Sequence, residues 1–158
     1  MKRVMTLWLA LGVVYLAIEI VWRGHTHISM LVVGGLCGVL VGLVNQAPVF
    51  YRAPVIVQSI IGAAIVLAVE FVSGCILNLW LGLNVWDYTG KFGNILGQIC
   101  LPYAALWVLL MPFAIWAEDT ARWLMYAWDG LLGRKAGPPP KHKAYTVRSI
   151  YKEFFTGK

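Results

Sequence analysis

Residues 54–79 read PVIVQSIIGAAIVLAVEFVSGCILNL, twenty-six positions with a single charged group, Glu70. An α-helix rises about 1.5 Å per residue, so this run exceeds the roughly 30 Å of hydrocarbon in a bilayer. It lacks the period-two alternation of a barrel strand, and Pro54 suits a first helical turn. Working outward, three more runs qualify: residues 4–22, residues 28–44 near the short limit, and residues 94–116.

Composition agrees. Of 158 residues, 60% are hydrophobic and 13% charged, with mean hydropathy +0.73. A soluble domain of this size has too little interior to hide that much apolar surface. The start resembles a signal peptide, but the run is too long and ends in Trp22-Arg23-Gly24-His25, so it reads as a retained first helix. The expected architecture is all-α and polytopic: a four-helix transmembrane domain at 1–116, an interfacial or cytoplasmic helix at 117–134, and a basic cytoplasmic tail at 135–158.

Net charge is +6, and eight of the thirteen Lys and Arg residues follow position 120. This reads as the positive-inside bias of a membrane protein rather than a nucleic-acid footprint. Lys2, Arg3, Arg52 and the C-terminal basic residues fall on one side of the four-span topology, Arg23 and Lys91 on the other. Both termini are therefore expected in the cytoplasm, in the cell membrane. Trp22, Trp80, Trp86 and Tyr88 on one side, with Tyr51 and Trp116 on the other, suit interfacial belts. Pro102 and Pro112 are expected to bend the fourth span. Cys37, Cys75 and Cys100 have no metal-ligand spacing and read as buried thiols.

The segment 118–132 mixes Glu118, Asp119, Arg122 and Asp129 with large apolar residues and is too polar to span. Residues 137–140 read as a stiff linker. Beyond them Val147, Ile150, Tyr151 and Phe154 share a helical face flanked by basic residues, a pattern suited to an anionic leaflet or to a disordered tail.

Two halves show a common pattern. Each has a helix ending in Leu-Ala-x-Glu, at Glu19 and Glu70, followed by Gly-x-x-Cys, at Gly34 to Cys37 and Gly97 to Cys100. The expectation is two parallel two-helix repeats, about 4–46 and 54–116. Glu19 and Glu70 then lie at similar depth. Ionisable groups in a membrane usually face the bundle interior and need partners. Arg23, four residues after Glu19, is one candidate. Asp87, Asn94 and Gln98 gather near the same level, and Asn94 and Gln98, four residues apart at the start of the fourth span, are expected to share a helix face. His25 and His27 are weak metal-ligand candidates. The cluster admits a purely structural reading, an ion- or proton-coupled site, or a metal or catalytic site. Gly34, Gly38 and Gly42 form a small-residue stripe for close helix contact, within the bundle or between subunits, and self-association is expected.

The Glu70-to-Asn78 stretch, Trp86-Asp87-Tyr88, and Asn94-Ile95-Leu96-Gly97-Gln98-Ile99-Cys100 together resemble the signature of a bacterial inner-membrane family labelled putative ABC-transporter type IV, which includes transmembrane protein 229-like members. The resemblance covers about thirty residues of the second half. It implies a transport connection and marks Glu70, Trp86, Asp87, Tyr88, Asn94 and Gln98 as its heart. These residues include no phosphate-cradling Gly-rich loop, so an ATPase would be a separate cytoplasmic partner. The expected function is a small, self-associating, cofactor-free membrane protein, not an enzyme, that moves ions or protons past paired glutamates. The alternatives are a non-transporting scaffold or regulatory subunit, and a membrane enzyme or lipid-binding protein. Lipids are expected partners and nucleic acid is not.

Overall fold

A computed structural model describes residues 2–133 and 146–157. The described residues are all-helical apart from loops and one isolated bridge between Ile95 and Ile99. Four long helices carry the fold: α1 (Lys2–Arg23), α2 (Ser29–Asn45), α4 (Val55–Gly74, prolonged by a π-helical turn, Cys75–Trp80) and α5 (Leu101–Leu131). A four-residue helix α3 (Pro48–Tyr51) links α2 to α4, and α6 (Val147–Thr156) follows α5.

Three of these helices are long and apolar enough to cross a membrane: Arg3–Arg23, Val55–Trp80 and Leu101–Leu131. At 17 residues, α2 is shorter, about 26 Å at the standard rise. The outer surface carries many large apolar residues, and several polar groups are buried within an otherwise apolar core. Val13, Val21, Ile60, Val72, Leu109 and Leu124 face outward, whereas Glu19, Asn45, Gln58, Glu70, Glu118 and Asp119 are buried. An outer face this apolar is what a lipid solvent selects.

Glycines set the α1–α2 contact. A Cβ on Gly12 would meet the Leu31 backbone oxygen at 2.4 Å, and one on Gly35 would meet the Trp8 backbone oxygen at 2.5 Å. Gly34 lies against Tyr15 and Gly38 against Leu11, so contacts advance along α2 as they retreat along α1, an antiparallel hairpin. The small-residue stripe is thus occupied within the chain. Gly42 differs from the other two, for it faces the Glu118 carboxyl of α5.

The second hairpin departs from the sequence expectation. Residues 94–100 are not helical, and α5 begins only at Leu101. Gly93, Leu96 and Gly97 have φ of +63°, +51° and +69°, a left-handed backbone that no α-helix accommodates. Pro102 is accordingly a first-turn residue rather than a kink. Only Pro112 lies inside α5. Gly34 and Cys37 sit within a helix whereas Gly97 and Cys100 sit in a loop, so that part of the repeated pattern has no common secondary structure.

The segment after 117 continues α5 as far as Leu131. The apolar face of α6 docks on the bundle rather than standing free for a leaflet: Ile150 is fully buried and Phe154 nearly so, with α6 against α4 and α5. Tyr151 Oη donates to the Leu109 carbonyl at 2.8 Å, beside the Val108 carbonyl deprived of its partner N–H by Pro112. The linker expected at 137–140 lies outside the described residues.

The Gly35→Ala variant should lower the melting temperature in detergent, at a cost of about 1–3 kcal/mol for overpacking against a backbone atom. Gly130→Ala, at an α5 position with nothing within 4 Å, should raise it, by about 0.5–1 kcal/mol of helix propensity. Equal shifts in both would refute the close-contact account.

Candidate functional site

Between Trp80 and Leu101 the chain folds back over one end of the bundle. The π-helical turn makes this possible. Val66, Glu70, Gly74 and Asn78 are all buried at four-residue spacing, yet each such step overshoots a regular α-helix by about 40°. A wider final turn keeps Asn78 inward.

Asn78 then holds both arms of the loop. Its Nδ2 donates to Gln98 Oε1 at 2.8 Å, and its Oδ1 accepts from the Val85 N–H at 2.7 Å. Trp86, also buried, donates from its indole to the Gln98 carbonyl at 3.0 Å. Gly74 leaves room for this lock, since a Cβ there would fall 2.5 Å from Gln98 Oε1. Asn94 pins the next turn, donating to the Thr89 and Lys91 carbonyls at 2.9 and 3.0 Å and accepting from the Gly97 N–H.

Glu19 is gathered into the same end. Arg23 Nη1 donates to Glu19 Oε1 at 3.1 Å, and Arg23 Nη2 donates to the Val85 carbonyl at 3.1 Å, so one guanidinium ties α1 to the loop. The Thr26 hydroxyl donates to the other Glu19 oxygen. The expected i,i+4 pair is therefore present.

Glu70 is different. It is 5% exposed, Trp107 offers its carboxyl a donor, and Oε2 is buried without a hydrogen-bond partner. Glu19, Glu70, Arg23, Trp86, Asp87 and Tyr88 all border one cavity of about 310 Å³, together with Lys91 and further aromatic residues. The cavity thus brings together the two glutamates and the Trp-Asp-Tyr triplet. Asn94 and Gln98 do not line it, and their bonds hold the loop that closes over it. They do not share a helix face, because their stretch is not helical.

Asp87 stands exposed at the mouth. The hydroxyl and then the backbone N–H of Thr89 donate to it and hold its carboxyl below the usual carboxylate range. Burial pushes the half-buried Tyr88 phenol up, so that group stays neutral. His27 Nδ1 lies 2.8 Å from Ser29 Oγ. Among the described residues no group of three His, Cys, Asp or Glu side chains is placed to hold a metal.

Sequence reasoning missed a second polar cluster at the other end. Glu118 and Asp119 are both buried within α5. Arg122 pairs with Glu118 one turn on, and Asn45 Nδ2 donates to Asp119 Oδ1 at 3.1 Å. Gly42 faces Glu118 because a Cβ there would lie 2.1 Å from its carboxyl oxygen. The i,i+4 Glu118–Arg122 spacing was a visible signal, but the segment's average polarity suggested an aqueous face. A smaller apolar cavity of about 100 Å³ adjoins the first across Tyr15, Ile18, Trp107 and Leu110. It extends to Val41 and Ala117, the neighbours of Gly42 and Glu118.

Removing the lock should loosen the site without unfolding the bundle. Gln98→Leu strands the Asn78 donor and should cost about 1–3 kcal/mol. Hydrogen exchange should rise selectively over residues 84–100, and uniform protection across the chain would contradict the role assigned to Gln98.

No curated protein and no solved structure matches the chain. A family model does, over residues 6–126, which takes in the first four helices, the closing loop and most of α5. The chain belongs to the family described as Putative ABC-transporter type IV.

Proposed function

We propose that this protein is a small, self-associating membrane transporter linked to protons or cations, with the Glu19–Glu70 cavity as its binding site. It is not an enzyme in this reading. It crosses the cell membrane four times with both termini in the cytoplasm, α2 making a short crossing between its longer neighbours. The unequal distribution of basic residues supports that orientation. An energising ATPase, where one is used, is a separate subunit.

The single observation that carries the proposal is Glu70: a buried carboxyl with a partnerless oxygen on the wall of a cavity. An unsatisfied buried polar group costs about 1–3 kcal/mol, and more when charged. Such a group is kept where a proton or cation is to be taken up and released. The adjoining apolar cavity supports a route between α1, α2 and α5 toward Glu118.

The paired state of Glu19 favours a second reading, in which the cluster is structural and the protein is a non-transporting subunit or scaffold. Proton and ion flux into liposomes separates the two. Wild type should carry flux above empty liposomes, and Glu70→Gln should remove at least about 90% of it, a loss of roughly 1.4 kcal/mol or more in barrier terms. Glu19→Gln should lower thermal stability as well as flux, because it disturbs the Arg23 bridge to the loop. Absence of flux from folded wild-type protein would leave the subunit reading standing.

A further inference from the structure

The walls of the cavity also specify a ligand class. Six of its fourteen lining residues are aromatic: Tyr15, Trp22, Trp86, Tyr88, Tyr103 and Trp107. They come from both hairpins and the closing loop, so the enclosure is a product of the tertiary fold. Two pairs are stacked, Tyr15 with Trp107 at 6.0 Å and Tyr88 with Tyr103 at 4.7 Å between ring centroids. Stacking holds Tyr15, Trp107, Tyr88 and Tyr103, and burial holds Trp86, in place before any ligand arrives.

The charges are distributed to match. Glu19 is neutralised by Arg23, and Asp87 is held at the exposed mouth by Thr89. Among the described residues no Lys or Arg forms an ion pair with Glu70. Lys91 also borders the cavity but stands exposed in the loop, so the interior offers one carboxyl without an ion-pair partner, Glu70, among aromatic rings. A bare inorganic cation would need several oxygen ligands to replace its hydration shell, and Glu70 alone does not supply them. An organic ammonium ion has a diffuse charge and an apolar skin, which aromatic faces and one carboxylate satisfy together. A volume of about 310 Å³ stands at the small end of ligand pockets, roughly 300–1,000 Å³.

From the partnerless Glu70 oxygen within this aromatic enclosure, we infer that the cavity binds a small organic ammonium cation. The inference rests on the cavity being the binding site of the proposed transporter, and it names the class of ligand. Glu70 supplies the counter-charge. Tyr103 and Trp107, one turn apart on α5, supply ring faces, and Asp87 with Trp22 forms the entry.

The test is calorimetric titration of purified protein in detergent with tetraethylammonium and with choline. The neutral isostere of choline, 3,3-dimethylbutan-1-ol, and sodium ion are run in parallel. Choline should bind saturably and at least about tenfold more tightly than its neutral isostere, a difference within reach of a desolvated cation–π and carboxylate site. Glu70→Gln should weaken it at least about tenfold, and Tyr103→Leu severalfold. Because Glu70→Gln could disturb folding, the wild-type melting temperature is followed as well: tetraethylammonium should raise it and sodium at equal ionic strength should not. Equal binding of the neutral isostere, an equal response to sodium, or no saturable binding to folded protein would overturn the inference. Binding without flux would sink the transport reading and leave the ligand class intact. Proton flux without ammonium binding would do the reverse.

Discussion

A carboxylate inside a bundle whose outer face is apolar can be satisfied only by its neighbours, and this fold is arranged around that demand. Lipid offers no donor, so each buried polar side chain fixes the position of whatever partners it. Glu19 holds Arg23, and Arg23 holds the Val85 carbonyl. Asn78 holds Gln98 and the Val85 N–H, and Gln98 holds Trp86. The loop between α4 and α5 is thereby folded back over the helices instead of projecting into solvent. At the opposite end Asn45 and Arg122 bring α2 and one further turn of α5 to Glu118 and Asp119. Individual hydrogen bonds between membrane helices contribute modestly, about 0.6 kcal/mol on average. Their larger effect is on uniqueness, since the alternatives leave charges in hydrocarbon.

The small residues are the complement of this arrangement. Gly12 and Gly35 let α1 and α2 approach until side chain meets backbone, while Gly42 and Gly74 make room for the polar groups of Glu118 and Gln98. A glycine stripe in the sequence announces close contact but does not say with what. Here Gly34 and Gly38 face apolar side chains and Gly42 faces a carboxyl, although the three are evenly spaced on one helix.

Hydropathy delivers α1, α2 and α4 with its π-helical turn to within about two residues, because long apolar runs bounded by polar residues leave few alternatives. It misplaces the start of α5 for a definite reason. Residues 94–100 are as apolar as a helix, but Gly93 and Gly97 permit a left-handed backbone, and Leu96 is carried into one between them. Side-chain averages do not see backbone geometry, whereas Pro102 marked the true first turn. The tail shows a similar limit. The spacing of Ile150 and Phe154 shows that one face must be covered, and nothing in the spacing distinguishes a leaflet from α4 and α5. The two outer glutamates were legible as lone charges in apolar runs. Glu118 and Asp119 were not, since two further charged residues within the next ten positions, Arg122 and Asp129, gave their segment the profile of a wet surface.

The two glutamates of the repeated Leu-Ala-x-Glu pattern border the same cavity in opposite states. Glu19 has a guanidinium and a hydroxyl, and Glu70 keeps an oxygen with no partner. Pairing at the first glutamate adds the Arg23 bond to Val85 to those that hold the loop beside the second. If shape were the whole role of Glu70, an apolar residue of similar volume would fill its place at no electrostatic cost and would stabilise the bundle. A carboxyl at that position forgoes this stability. In the proposed transporter the physical return is a charge, or a proton, that can be exchanged with whatever enters the cavity. The two glutamates thus divide: one is tied to the loop that borders the cavity, and the other keeps a carboxyl oxygen without a hydrogen-bond partner on the cavity wall.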